Sequence, residues 1–305
     1  MKISAFSMCR NAHKLYYPIE ESVRSVLDLV DEFVIAVGGG DQDDRTLEIL
    51  RGIGSDKIKI IETQWDIDSF PNGTVHAQQT DLAKAHCTGD WLLYLQADEV
   101  IHEDDLPRIE LFCEVYQDDD RVEGMLFQYW HFWGDYDHIV QGHGWYPKEI
   151  RLIRNRPEIH SWESAQSFRV IPDFDGSSYR SKAGTRKLKV VETPIRVYHF
   201  GWVRPPAMMT EKMNRLDRIH SHQEERYSGD FHYGSREACI EFPGSHPKVM
   251  HDRIEELNWD PWTKGVEGRP KHKHERWKNR LLTWIERRFL EGEPLFSFKN
   301  YELLD

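Results

Sequence analysis

Residues 91–101, WLLYLQADEVI, contain the pattern that decides the fold, an apolar run that ends in an acidic pair. Trp91 to Leu95 form the run, which predicts a buried strand, and Asp98 and Glu99 follow where the strand ends. Ionised carboxylates are costly to bury unless they are paired or bound to a metal. Two interpretations follow: the pair reaches solvent in a turn, or it holds a cation.

Strands and helices alternate around this run in the first third of the chain. Strands are predicted at 2–6, 32–37, 57–63 and 91–96, and helices at 18–30, 46–51 and 76–86. This alternation is typical of a doubly wound, mostly parallel sheet sandwiched by helices. In such sheets ligands bind beyond the carboxyl ends of the strands, where residues 6–10, 38–44 and 96–99 are expected to meet. The sequence therefore predicts one crevice formed by three loops.

The pattern changes in the second half of the chain. Helices are predicted at 106–116 and 208–222, strands at 124–138, 149–155 and 195–202, and a basic helix at 275–289. From about residue 228 the composition shifts to Gly, Pro, His and Trp without clear periodicity. We therefore predict an α/β domain over residues 1–225 and a mostly helical C-terminal extension over residues 226–305.

Composition and charge limit the classes of function. A net charge of −12 over 305 residues argues against nonspecific binding to nucleic acid. The four cysteines show no CxxC spacing and fit a reduced protein better than a disulfide framework. The N-terminus lacks the apolar segment of a signal peptide, and no apolar run has the length of a transmembrane helix. These features predict a soluble, cytoplasmic protein.

Two stretches together resemble the family 2 glycosyltransferases with the GT-A fold. They read CRN…PIEESVRSVLDLVDEFVIAVGGGDQDDRTLEIL and GDWLLYLQADEVI, and the second is similar to the motif GDW-I-L-LDADE of a bacterial branch. The likeness covers about residues 1–105 and runs weakly to about residue 222. It implies a Rossmann-like GT-A domain, a nucleotide-diphosphate sugar donor, a sugar or glycolipid acceptor, and Mn²⁺ or Mg²⁺. It also implies inversion at the anomeric carbon.

The resemblance assigns the metal to three residues. Asp98 matches the second aspartate of the motif, the usual metal ligand, and Glu99 matches the acid after it. Gln96 stands at the first aspartate, where its amide can bind a ribose hydroxyl but brings no charge to a cation. His199, in YHFGWVR, stands where many GT-A enzymes complete the metal shell with a histidine. The alternative for His199 is a core histidine between aromatic side chains.

The donor site departs from the family pattern at several positions. Gly38 replaces the aspartate that generally reads the base, and Asp41 or Asp43 could substitute for it. Gln78 replaces a phosphate-facing arginine, and Arg204 could neutralise the leaving diphosphate or form a surface salt bridge. The predicted donor-binding residues are Phe6, Ser7, Arg10, Gly38, Asp41, Asp43, Gln78, Gln96, Ala97, Asp98 and Arg204.

Glu163, in IHSWESAQSF, is the predicted catalytic base. It lies where related sequences carry an acid after the strand that reads RLIR here, residues 151–154. An inverting transfer needs a carboxylate that takes the proton of the acceptor hydroxyl. The alternative is a solvated glutamate at a strand-to-loop junction.

Two other functions fit part of the pattern. A nucleotidyltransferase on a similar scaffold would normally show a glycine-rich basic loop near the start, and FSMCRN is not such a loop. A catalytically silent nucleotide-binding homologue is suggested by Gly38, Gln78 and Gln96. Nucleotide binding with and without Mn²⁺ separates the silent homologue from the enzyme.

The basic stretch at residues 269–289, RPKHKHERWKNRLLTWIERRF, has two interpretations. Leu281, Leu282, Ile285 and Phe289 lie near one face of a helix, so the stretch could lie peripherally on anionic lipid. Alternatively the helix packs on its own domain with its basic side in water.

Overall fold

The computed structural model of the chain describes residues 1–221, 226–262, 269, 271–290, 293, 295 and 299–304. The described residues form a mixed α/β fold around one sheet of 13 strands. Strands β1 to β13 are, in chain order, Ile3–Cys9, Glu32–Gly38, Ile58–Thr63, Trp91–Tyr94, Glu99–Ile101, Gly124–Trp133, His138–Val140, Lys148–Arg154, Ile159–Trp162, Ser167–Val170, Arg186–Trp202, Ile240–Glu241 and Tyr301–Leu303. Helices α1 to α7 are Ile19–Arg24, Thr46–Gly52, Thr74–Lys84, Leu106–Val115, Pro206–Ser221, His251–Glu255 and Trp277–Phe289.

The first half of the sheet is parallel, in the order β3-β2-β1-β4. Strands β1 and β2 are apolar almost throughout, because both faces of the sheet are covered. Side chains alternate across the sheet, so Ala5 packs with helices α1, α2 and α4 on one face, and Phe6 packs on the face that carries α3. The doubly wound arrangement predicted for this half is confirmed.

The second half of the sheet is mixed. Strand β8 is antiparallel to both β4 and β6, whereas β6 and β11 are parallel. Strand β11 has 17 residues and also pairs with β5, β10 and β13. This long strand carries His199 to the edge where β4 ends, because His199 lies opposite Glu99 of β5.

The stretch 91–101 forms two strands with a turn between them. The first strand, β4, ends at Tyr94, and Leu95 N still donates to Phe6 O at 3.1 Å. The chain then turns through Gln96, Ala97 and Asp98 before β5 begins at Glu99. The turn places Asp98 and Glu99 in different environments although they are neighbours in the sequence.

The described residues after position 225 attach to the same sheet. Strand β12 pairs with β7, and β13 runs parallel to β11. The α-helices among these described residues are α6 and α7. The domain boundary at 225 and the mostly helical extension stay predictions, since residues 222–225 and 263–268 lie outside the described residues. His222, the last residue of the helix predicted at 208–222, also lies outside them. Within the ranges given above, no helix is both long and apolar enough to cross a membrane.

Candidate functional site

A crevice of about 260 Å³ opens at the carboxyl ends of β1 and β4. Two of the three predicted loops line it, residues 8–10 after β1 and residues 96–98 after β4. The first turns of α3 and the middle of α5 close it from above. The lining residues that matter below are Arg10, Trp65, Gln96, Ala97, Asp98, Tyr146, Arg151, Gln166 and Lys212.

Asp98 lies buried at the base of the crevice. Its Oδ2 atom is 3.7 Å from His199 Nε2 and 3.7 Å from Lys212 Nζ. Burial opposes ionisation of this carboxyl, but the neighbouring His199 ring and two buried cations outweigh it and lower the pKa of Asp98. The carboxylate is therefore ionised and faces positive groups before any ligand arrives.

A hydrogen-bonded pair of histidines fixes how His199 faces Asp98. His131 Nε2 lies 2.8 Å from Tyr146 O, and it must donate there because a carbonyl only accepts. Burial lowers the pKa of His131 to about 3, so the ring is neutral and its Nδ1 accepts from His199 Nδ1 at 3.0 Å. Burial lowers the pKa of His199 although the charge of Asp98 raises it, so the Nε2 of His199 can release its proton and offer a lone pair beside Asp98.

The space between Asp98 and His199 suits a hard cation. A carboxylate oxygen and a ring nitrogen that can lose its proton converge there, so a cation that takes the place of that proton would be bound by both. Gly201 borders this space, since a Cβ atom at that position would be 2.5 Å from His199 Nε2 and 2.7 Å from Asp98 Oδ2. In the described part of the chain no group of three or more His, Cys, Asp or Glu could hold a metal. Mg²⁺ is nevertheless commonly bound by one or two carboxylates together with substrate phosphates, and Asp98 supplies one such carboxylate.

Glu99 is placed in the core, and the structure corrects its prediction as a metal ligand. Arg151 Nε and Nη2 donate to its two oxygens, each at 2.8 Å, and Tyr129 Oη adds a bond of 2.7 Å to Oε1. Both Glu99 and Arg151 are fully buried. The acid is therefore the partner that a buried arginine requires, and its oxygens are occupied.

Lys212, on α5, is a site residue that the sequence analysis did not identify. Its Nζ donates to Gly201 O at 2.6 Å and lies 5.1 Å from the ring centre of Tyr17. Burial and the charge of Arg204 lower the pKa of Lys212 to about 7. One feature of the sequence indicates a buried position for this lysine: Lys212 lies three residues after Met209, on the apolar side of the predicted helix.

Arg204 does not line the crevice, contrary to its prediction as a donor-binding residue. Its Nη1 donates to Leu15 O at 2.6 Å and its Nη2 donates to Gly201 O at 3.0 Å. The side chain is completely buried over the ring of Tyr17. It therefore joins the loop after β1 to the end of β11.

A second cavity, of about 530 Å³, continues the crevice past Arg10, Trp65 and Lys212; we call it the outer cavity. Asp41 lines it and is held by Arg215 Nη2 at 2.6 Å and Lys14 Nζ at 2.8 Å. The bonds from these two cations lower the pKa of Asp41 well below its ordinary range. Asp41 thus ties the loop after β2 to helix α5.

The remaining predictions around the β2 loop are placed as follows. Trp65 packs directly on Gly38, and a Cβ atom at Gly38 would collide with its ring. Arg10 Nε donates to Gly39 O at 2.8 Å and the side chain lines the crevice. Asp43 is exposed and pairs with Lys14 at 2.7 Å.

Four further donor-site predictions divide into two groups. Gln96 and Ala97 line the crevice, and the Gln96 amide donates to Ala165 O at 2.9 Å. Phe6 is buried against Tyr94, at 5.2 Å between ring centres. Ser7 is buried as well, and its hydroxyl has no partner among the described residues.

Gln78 lies apart from the crevice. It lines a separate cavity beside α3, together with Phe174 and Tyr179, and its Oε1 accepts from Gln79 Nε2 at 2.8 Å. The face of α3 that lines the crevice carries His76 instead. Gln78, to which the resemblance assigns a phosphate-facing position, therefore points away from the crevice.

Glu163 lines a third cavity, of about 330 Å³, which we call the acidic cavity. This cavity adjoins the crevice, because Tyr146 and Gln166 line both. Glu163 follows β9 with a φ of +54°, a left-handed conformation that only a firmly held turn maintains in a non-glycine residue. Its neighbour Ser164 lines the crevice itself.

Glu149, on β8, is a second acid of the acidic cavity that the sequence analysis did not single out. Its side chain is buried, and Oε2 has no hydrogen-bond partner in the described ranges. Burial raises the pKa of Glu149 to about 7, against the opposing charge of Arg151. A carboxyl of this kind can exchange a proton near neutral pH.

Comparison with known proteins gives low similarities. No family model matches the chain. A curated TPR repeat-containing protein of Synechococcus elongatus is 25% identical over 208 residues, which are 67% of this chain and 45% of that protein. The chain thus spans about half the length of the curated relative that it matches.

Three of the similar solved structures hold a nucleotide or a nucleotide sugar. Staphylococcus aureus TarS 1-349 in complex with UDP has 16% identity and a TM-score of 0.40, covering 72% of this chain and 65% of that chain. Glucosyl-3-phosphoglycerate synthase of Mycobacterium tuberculosis, with Mn²⁺, UDP and phosphoglyceric acid, has 15% identity, a TM-score of 0.30, and covers 43% of each chain. The mannosyltransferase PcManGT of Pyrobaculum calidifontis, with GDP-Man and Mn²⁺, has 17% identity and a TM-score of 0.29, covering 41% of this chain and 34% of that chain.

Proposed function

We propose that this protein is a glycosyltransferase that moves a sugar from a nucleotide-diphosphate donor to a hydroxyl acceptor with inversion. The observation that carries the proposal is the convergence of the Asp98 carboxylate, the His199 lone pair and the Lys212 ammonium at the base of the crevice. The crevice lies at the carboxyl edge of parallel strands, where open α/β sheets bind nucleotides. The sequence resemblance to family 2 glycosyltransferases supports the same function.

The donor would bind across the crevice and the outer cavity. The nucleoside would enter the outer cavity between Asp41 and Trp65, and the diphosphate would reach Asp98 and Lys212. Lys212 would offset the negative charge that grows on the leaving diphosphate. A Mn²⁺ or Mg²⁺ ion held by Asp98 and His199 would supply further positive charge to the diphosphate.

The acceptor would bind in the acidic cavity, with Glu163 as the base. The acceptor hydroxyl would lose its proton to the Glu163 carboxylate while its oxygen bonds to the anomeric carbon. The bond from that carbon to the diphosphate oxygen breaks, and the electron pair leaves with the nucleoside diphosphate. Glu163 suits this role because its cavity adjoins the crevice at Tyr146 and Gln166.

Titration with nucleoside diphosphates tests the donor site. We expect at least one of UDP, GDP, ADP, CDP and dTDP to bind, and Mn²⁺ to tighten the complex. Replacement of Asp98 by Asn removes the charge that faces the cation, so the Mn²⁺-dependent part of the affinity should disappear while the protein still folds. Asp118→Asn, at an exposed position after α4, is the matched control.

Three results would contradict the proposal in different ways. No nucleotide binding would exclude a donor site, and full Mn²⁺ dependence in Asp98→Asn would exclude Asp98 as the ligand. Nucleotide binding without hydrolysis or transfer from any nucleotide sugar would favour the silent homologue. Release of pyrophosphate from a nucleoside triphosphate would favour a nucleotidyltransferase.

A further inference from the structure

Helix α7 turns large apolar side chains away from the protein. Trp277 is 68% exposed, Leu281 is 49% exposed and Trp284 is 59% exposed. They are spaced by four and three residues, so they lie on one face of the helix. We call these three residues the outer face.

The opposite face of α7 is polar and attaches the helix to the protein. Glu286 is buried, and its Oε1 accepts from His143 Nδ1 at 2.8 Å. Thr283 Oγ1 accepts from His143 N at 2.9 Å, and the Thr283 side chain packs against Gly142. A surface helix ordinarily buries its apolar face, whereas α7 exposes the outer face and leaves Leu282 and Ile285 only half-buried.

Basic side chains flank the outer face. Lys278, Arg280 and Arg287 lie beside the face, and Arg288, four residues after Trp284, continues it; all four are exposed, although the whole chain has a net charge of −12. Helices that lie on a bilayer combine a Trp- and Leu-rich face with lysine and arginine, which are attracted to anionic headgroups. Tryptophan in particular favours the boundary between headgroups and acyl chains.

We propose that the outer face of α7 docks on the surface of an anionic phospholipid bilayer. The flanking cations favour this occupant over a second copy of the chain, because a symmetric contact between copies would bring two basic strips together. Docking would place α7 between the lipid and the acidic cavity, since His143 and Gly144 line that cavity and contact the attached face of α7. The proposal does not depend on the donor site.

Co-sedimentation of the full chain with vesicles tests the proposal. We expect binding to phosphatidylcholine vesicles that contain phosphatidylglycerol, much weaker binding to phosphatidylcholine alone, and a loss of binding as salt rises. The double variant Leu281→Glu/Trp284→Glu should bind the anionic vesicles at least about tenfold more weakly, because it removes apolar area and adds repulsion.

A matched control separates the outer face from a general charge effect. Leu111→Glu/Val115→Glu adds the same two charges on α4, where these side chains are 55% and 63% exposed. It should keep the affinity of the wild type for anionic vesicles, and both variants should keep its melting temperature. Charge reversal at Arg280 and Arg287 should weaken binding without removing an apolar residue.

Several outcomes would overturn the proposal. An equal loss in both double variants would show a nonspecific charge effect, and equal binding to neutral vesicles would exclude recognition of anionic lipid. A dimer that becomes a monomer in Leu281→Glu/Trp284→Glu, without vesicle binding by the wild type, would identify the outer face as a contact between copies. Donor binding is measured separately, and its failure would leave these results unchanged.

Discussion

Replacement of Glu149 by Gln should stabilise the protein at high pH and have little effect at low pH. Glu149 is buried in the wall of the acidic cavity, and burial raises its pKa from 4.5 to about 7 against the charge of Arg151. Each tenfold change in proton affinity is worth about 1.4 kcal/mol, so holding Glu149 ionised in the folded state costs about 3 kcal/mol. A glutamine fills nearly the same volume without that cost.

The sign of the pH dependence follows from where the proton binds. The folded protein keeps the proton up to about pH 7, whereas the unfolded chain releases it near the ordinary value of 4.5. The contribution of Glu149 to stability is therefore fully present below about pH 4.5 and is lost as the pH rises through about 7. The variant should gain on the wild type between these limits and keep its advantage above them.

Urea denaturation between about pH 5 and pH 8 measures this difference directly. We expect the free energy of unfolding of Glu149→Gln, relative to the wild type, to rise with pH and level off near about 3 kcal/mol. Glu114→Gln, on the exposed side of α4, corrects for the loss of one negative charge from the chain. Parallel curves for Glu149→Gln and the wild type would refute the reasoning, since Glu149 would then ionise as readily in the fold as in the unfolded chain.

Two further predictions concern the chemistry of the site. Glu163→Gln should lower the transfer rate by about 10²–10⁴-fold and leave nucleoside-diphosphate affinity and melting temperature near wild type; normal turnover would move the base to Glu149. His131→Phe should weaken Mn²⁺ binding by about 10–100-fold, measured from the EPR signal of unbound Mn²⁺, because the acceptor that orients His199 is lost. His131→Asn, which keeps an acceptor near the Nδ1 position, should recover most of the affinity, and unchanged binding in His131→Phe would contradict the orientation inferred for His199.

The parallel half of the sheet was predictable because its strands are apolar runs separated by amphipathic helices. The short strands β5, β7, β9, β10, β12 and β13 were not, since each has two to four residues and depends on pairing with distant segments. Strand β5 shows the reason clearly. Its three residues pair with β11, almost 100 positions later in the chain, and no local sequence pattern predicts that contact.

The site was predictable where a loop had to lie at a strand end, as for Asp98 and Gln96. The direction in which a long side chain points was not predictable, as Arg204 and Lys212 illustrate. Both are long cations near the end of β11, but Leu15 O, from the far end of the chain, takes the arginine away from the crevice. Glu149 was hidden for a related reason, because one acid in an alternating strand is ordinarily expected to face water.

The contact between Glu99 and Arg151 means that the two acids of the motif, Asp98 and Glu99, are under different structural constraints during evolution. Loss of either partner alone would leave a charge buried without its counterion, which costs about 3–5 kcal/mol, so the two positions should change together or not at all. Asp98 carries a weaker constraint, because it lies 3.7 Å from His199 Nε2 and Lys212 Nζ, and Lys212 keeps its bond to Gly201 O without it. A descendant of this chain that abandoned nucleotide chemistry would therefore lose Asp98 first and keep the pair. Among such descendants the presence of Glu99 and Arg151 would indicate common ancestry. Only the presence of Asp98 would indicate that the nucleotide chemistry is retained.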